Sequence, residues 1–157
     1  MLSTDTQIIE ILQKSKNEGN NLLKHFKIGY PTRELAQENN TILVACVSSE
    51  NQLDGFDFDQ FRDLVEILII TKQKDNHKAK KIIKTVSYEI CKLIMSNSDL
   101  FPNKPIIRNI NPFFDVNMVL TRGQVMVNVN TEPVDYVISP ETYEDVELLL
   151  DEDIIIE

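Results

Sequence analysis

Three carboxylates stand close together in Asp54-Gly-Phe-Asp-Phe-Asp59, the one stretch of the chain whose spacing faintly resembles a calcium loop. A calcium loop of that type needs its glycine at the sixth position and a bidentate glutamate at the twelfth, and neither is in place. The stretch therefore reads as a polar hairpin loop carrying two packed phenylalanines. An enzymatic use would require Asp54, Asp57, Asp59 and Asp63 to converge in a cleft with perturbed ionisation. The acids near the C-terminus could be imagined as a two-metal nuclease cluster, but such sites fix their carboxylates on core strands, and a solvated acidic extension fits better.

The other residues capable of chemistry are scattered. His25 and His77 sit near helix ends, with no serine, cysteine or paired carboxylate at a spacing that suggests a catalytic group, and both read as surface residues. Cys46 and Cys91 each lie in an apolar stretch without a CxxC or a nearby histidine, which argues against a disulfide framework or zinc site and fits a reducing compartment. The four glycines, Gly19, Gly29, Gly55 and Gly123, are isolated, so no phosphate-cradling loop is present in the sequence. The expectation is a protein without catalytic residues, metal or cofactor.

Charge is more informative than any motif. The net charge is -9, yet no lysine or arginine follows Arg122, while ten acids do, from Glu132 to Glu157. Residues 1–122 thus carry 16 bases against 15 acids, and the acidity belongs to the C-terminal segment. Such a balance disfavours a grip on phosphate backbones. At 157 residues, 42% apolar and 26% charged, the chain is sized for one packed domain. The N-terminus lacks a basic start and an apolar run, and no stretch is long enough to span a bilayer, so neither export nor membrane insertion is expected.

The elements that would position these residues follow from periodicity. Thr4 or Asp5 can cap a first helix, with Ile8, Ile11, Leu12, Leu22, Leu23 and Phe26 on one stripe, unless Gly19-Asn20-Asn21 breaks it in two. Residues 28–40 read as a connection. Residues 41–48 form a short apolar, β-branched strand of the kind found in the middle of a sheet, and residues 61–72 a second, antiparallel to it across a wide hairpin. Asn76 is placed to cap a long helix in which Ala79, Ile82, Ile83, Val86, Ile90, Leu93 and Ile94 make one apolar stripe. A third strand begins at 106–110, which 113–120 either continues or follows as a bent segment, and Val125, Val127 and Val129 mark a fourth. Ser139-Pro140-Glu141 resembles a helix start. The fold class is α+β: a mostly antiparallel sheet of about four strands against a long amphipathic helix and an N-terminal helix, in the order α-β-β-α-β-β. Residues 1–132 form the core domain, and residues 133–157 an acidic extension with a short helix.

Opposite the stripe of the long helix lie Lys81, Lys84, Lys92 and Tyr88, flanked by Lys80 and Cys91. A solvated lysine face is the ordinary reading, but a tyrosine in its middle is favoured where a surface becomes an interface. The acidic tail ends in Ile154, Ile155 and Ile156, so one molecule carries both a basic helix face and an acidic arm with an apolar tip. Repeated contacts of one copy's arm with the next copy's helix would close into rings, and docking of the arm on its own subunit is the competing arrangement.

The element order, carried by Thr41-Ile-Leu-Val-Ala-Cys-Val47, Leu64-Val-Glu-Ile-Leu-Ile-Ile-Thr71, the helix of residues 78–94, Ile106-Ile-Arg-Asn-Ile110 and Gly123-Gln-Val-Met-Val-Asn-Val129, resembles the tail terminator (tail-completion) proteins of long-tailed bacteriophages over residues 5–132. Head-completion and other minor tail or neck proteins share such patterns. The resemblance implies a hexameric ring that caps the tail tube, ends its polymerisation and joins it to the head connector. Its partners would be itself, the tube protein and a head-completion or connector protein, with DNA passing through the lumen unbound. It would be part of the virion, assembled in the host cytoplasm. Leu53, Phe56 and Phe58 would then contact tube or neck, and Tyr88, Lys81, Lys84, Lys92 and Ile154, Ile155 and Ile156 neighbouring subunits. The extension past residue 132 departs from the family pattern. A reading from another class is a cytosolic dimeric ligand-binding or regulatory module, which would need a pocket lined by convergent polar groups.

Overall fold

A computed structural model describes residues 3–35, 39–51, 61–101, 104–115 and 120–131, together with Leu148. The chain is α+β. Helix α1 (Thr4–Asn17) is followed by a 3-10 turn at Leu23–His25 and strand β1 (Lys27–Gly29). Then come β2 (Asn40–Asn51), β3 (Phe61–Thr71), helix α2 (Asn76–Ser96), a second 3-10 turn at Ser98–Leu100, β4 (Ile106–Asp115) and β5 (Leu120–Thr131). The sheet has the order β1-β2-β3-β5-β4. β1 runs parallel to β2, and every other pairing is antiparallel. Because β5 lies between β3 and β4, the unit β3-α2-β4 is a split β-α-β.

Both helices cover the same face. Strand alternation puts Ile42 and Val44 of β2, Val65, Ile67 and Ile69 of β3, and Val125, Val127 and Val129 of β5 on that face. They bury there against Ile8, Ile11 and Leu12 of α1 and Ile83, Val86, Ile90 and Ile94 of α2. A smaller cluster, Leu43 and Ile70 with Leu35 and Leu68, sits on the other face near the Thr71 end. The apolar stripe of α2 behaves as its periodicity predicts: Ala79, Ile83, Val86, Ile90 and Ile94 are buried, and Ile82 and Leu93 are partly so.

The two layers approach tightly at Gly123, which pairs with Ile69 of β3 and faces α2. A Cβ added there would overlap Cγ2 of the buried Ile83 and lie 3.6 Å from Oγ of Ser87. Ser87 is itself small, and its buried hydroxyl donates to the Ile83 carbonyl at 2.7 Å, so the helix carries no polar group that the sheet must satisfy at this point. Glycine in a strand interior commonly marks such an approach.

Several expectations need correcting. The sheet has five strands and is mixed, because Lys27–Gly29, which overlaps the start of what reads as a connection at residues 28–40, pairs in parallel with Thr41, Ile42 and Leu43. A three-residue strand with a single fully apolar member, Ile28, leaves no period to detect. The central strand is β3, while β2 has both faces buried only over residues 41–44, and Cys46 and Val47 are exposed. The cap of α2 is Asp75 rather than Asn76: its carboxylate accepts from the Lys78 N–H at 3.1 Å, which holds its carboxyl below the usual range. α1 stops at Asn17, and Gly19 takes φ +90, so the N-terminal stripe is two pieces joined by a turn. β4 continues through Pro112, which a strand tolerates at a sheet edge.

Overpacking of a tight core costs about 1–3 kcal/mol, more than the roughly 0.4–1 kcal/mol a Gly→Ala change returns by restricting the unfolded chain. Gly123→Ala is therefore expected to destabilise the protein by on the order of 1 kcal/mol in denaturant melts. Combined with Ile83→Ala, its cost should fall well short of the sum of the two, and strict additivity would mean that Ile83 is not what fills the space over Gly123.

Candidate functional site

Three places in the described structure hold groups that could act. The first is a row of polar side chains at the Phe61 end of the sheet. Asp63 is 2% exposed and occupies the helix-facing side of β3, two residues before Val65. Its carboxylate accepts from Thr4 Oγ1 at 2.8 Å and from Ser49 Oγ at 2.5 Å. Cys46 Sγ donates to the Ser48 carbonyl at 3.5 Å and lies 3.8 Å from Ser49 Oγ, across the bulge that shifts β2 between Cys46 and Ser48.

A thiol, a hydroxyl and a carboxylate in series superficially resemble an activated nucleophile, but activation requires a depressed thiol pKa or an adjacent base. Here the thiol is pushed up, first by desolvation of the sulfur and then by the negative charge of Asp63. Both hydroxyls spend their protons on Asp63, and His25 and His77 are exposed on other elements. The row is a tie: it anchors the start of α1 to β3 and β2 by satisfying a carboxylate that burial would otherwise penalise. Asp63 is the one member of the aspartate group within the described residues, and it points into the core. Asp54, Asp57 and Asp59 lie outside them, as do the proposed contact residues Leu53, Phe56 and Phe58 and the tail residues Ile154, Ile155 and Ile156. Sequence reasoning grouped Asp63 with the loop acids, although its place in the alternation of β3 already sets it beside Val65 and Ile67.

The second place is a groove of about 340 Å³ between α1 and the C-terminal end of α2, lined by Gln7, Glu10, Ile11, Lys14, Leu93 and Leu100. Its polar residues come from successive turns of α1 and its C-terminal cap, as on any solvated helix flank, with Asn97 alone from the end of α2, too few from other elements to converge as a binding pocket needs. Among the described residues no group of histidine, cysteine, aspartate and glutamate is arranged to hold a metal, and no helix is long and apolar enough to cross a membrane.

The third place is the outer face of α2. Lys81, Lys84, Tyr88 and Lys92 are all exposed and follow at spacings of three and four, so they form one row along the helix. Lys78 and Lys80 are exposed beside it, and Tyr88 is 57% exposed. Cys91 is half-buried at the flank, and desolvation raises its thiol pKa. Other large apolar side chains are exposed elsewhere: Val47 at 50% beside the β2 bulge and Ile106 at 58%. Ile106 pairs with Asn128, between Val127 and Val129, and so stands on the sheet face away from the helices. Comparison with protein-family models and with curated proteins finds no match to this chain.

The Cys46 environment sets a titration. Alkylation of Cys46 should rise with a midpoint above the ordinary free-thiol value of about 8.5, and Asp63→Asn should bring that midpoint down. A wild-type midpoint at or below the ordinary value would mean that the row of polar groups activates the thiol after all.

Proposed function

We propose that this protein is a structural assembly subunit of the tail-terminator type: it forms a ring that caps a phage tail tube, ends the tube's polymerisation and offers the joining surface to the head connector. The observation that carries the reading is the distribution of exposed apolar side chains over different surfaces. Tyr88 stands on the helix layer, and Ile106 on the opposite face of the sheet. A two-fold dimer needs one self-complementary patch, whereas a ring needs two different patches that fit each other.

The sheet edges support assembly through faces. Unpaired edges invite strand addition, and proteins blunt them with short strands, bulges and proline. Here one edge is the three-residue β1, and the other is β4, which carries a bulge between Ile107 and Asn109 and Pro112 within the strand. The net charge of -9 suits a lumen through which DNA slides without sticking. In this reading the connection of residues 52–60 meets tube or neck, the acidic extension of residues 133–157 is an arm toward a neighbour, and the protein belongs to the virion.

Electron microscopy of the purified protein is expected to show closed rings of one diameter. A uniform population of compact dimers, or of single subunits at every concentration, would contradict the proposal.

A further inference from the structure

We propose that the lysine-rich N-terminal half of α2 is the docking surface for the acidic C-terminal segment of a second copy of this chain, placed head to tail. The inference rests on the ring reading above and names the contact that would build the ring.

Strand register fixes where the basic stretch begins and where the acidic segment departs. Thr71 pairs with Thr121 at one end of the sheet, and Phe61 pairs with Thr131 at the other. Only residues 72–75 separate β3 from α2, so the helix starts at the Thr71 end. It then runs back along the sheet, and its last turn brings Met95 to the start of β4, where Ile107 pairs with Val127. The lysines crowd into the beginning: residues 72–84 hold six lysines against one aspartate, and Lys78, Lys80, Lys81 and Lys84 are exposed. The acidic segment departs from Thr131, at the far end. Ten residues of extended strand separate the two, roughly 33 Å.

The basic start of α2 and the point from which the acidic segment departs thus lie at opposite ends of the strands. After Thr131 come ten acids and no base, and the sequence between β2 and β3, whose flanking residues Asn51 and Phe61 pair at that end, adds Asp54, Asp57 and Asp59. An acidic segment that leaves one end can meet the basic end of a second copy displaced along the strand direction, and each copy so bound offers its own segment to the next. That is the heterologous arrangement that closes into a ring. Exposed ion pairs contribute little singly and are screened by salt, so several must act together with an apolar anchor. Both partners offer one. Tyr88 is 57% exposed in the lysine row, and Leu148, in helical backbone amid the acids of residues 144–153, is 62% exposed.

The test is a mixing experiment read by sedimentation velocity on full-length chains. One variant reverses the helix, K80E/K81E/K84E; the other neutralises the arm, E144Q/D145N/E147Q/D151N/E152Q/D153N. Wild type is expected to associate beyond a dimer at about 0.01 M salt and to dissociate near 1 M, as the screening length falls from about 30 Å to about 3 Å. Each variant alone should be monomeric with an unchanged melting temperature, and an equimolar mixture should give a one-to-one heterodimer that grows no further, because only one arm and one helix remain competent. If charge reversal unfolds the helix, K80Q/K81Q/K84Q replaces it with the same expectation. Variants that keep the wild-type mass, or monomeric variants whose mixture stays monomeric, overturn this contact while leaving a wild-type ring to be explained by another. A wild type that stops at a dimer overturns the head-to-tail geometry, and one that is monomeric throughout overturns both this inference and the ring.

Discussion

The contact on which the rest of the structure depends is the seating of α2 on the sheet over Gly123. The helix can bury Ile83, Val86, Ile90 and Ile94 only if the strand beneath lets it approach, and Gly123 leaves room for Ile83 where any side chain would collide with it. Once that stripe is committed to Val125, Val127, Val129 and the central strand β3, the orientation of the helix is set. Its lysines and Tyr88 must then face outward, and its polarity relative to the strands follows from the short connection at residues 72–75. The surface that carries the proposed function is a consequence of the core.

α1 completes the same layer. Its apolar stripe packs beside α2, and its first turn is held by Thr4 to the buried Asp63, which Ser49 also serves. A buried carboxylate is costly unless hydrogen-bonded, and two hydroxyl donors from two other elements make this one a fastening between α1, β2 and β3. The same arrangement spends the groups that might otherwise support nucleophilic chemistry, which is why the best-organised polar cluster in the described residues reads as architecture.

Much of this was legible in the sequence wherever a long element had to bury one face. The stripe of α2 and the alternation of Val125, Val127 and Val129 are direct imprints of burial, and so is the β-branched run of β3. What escaped had no such imprint. β1 is too short to show a period, and it pairs in parallel with β2 because Ile28 is covered, a tertiary cause. Asp75 and Asn76 are both good caps, and only the backbone decides between them. Gly19 offered both a continuous and a broken helix, and its positive φ selects the break. Asp63 was readable: a carboxylate in phase with Val65, Ile67 and Ile69 announces a buried, partnered acid. The exposed row of Lys81, Lys84, Tyr88 and Lys92 was legible from the stripe opposite it, whereas the separation of that row from the departure point of the acidic segment required the strand register.

In the proposed function this chain acts by assembling with copies of itself through surfaces left over by a one-sided core. The most direct test is the mass of the full-length protein in solution by light scattering, followed over protein concentration. The expected result is a discrete closed oligomer larger than a dimer, reached as concentration rises. A mass that stays at one subunit, or that stops at two, would contradict it.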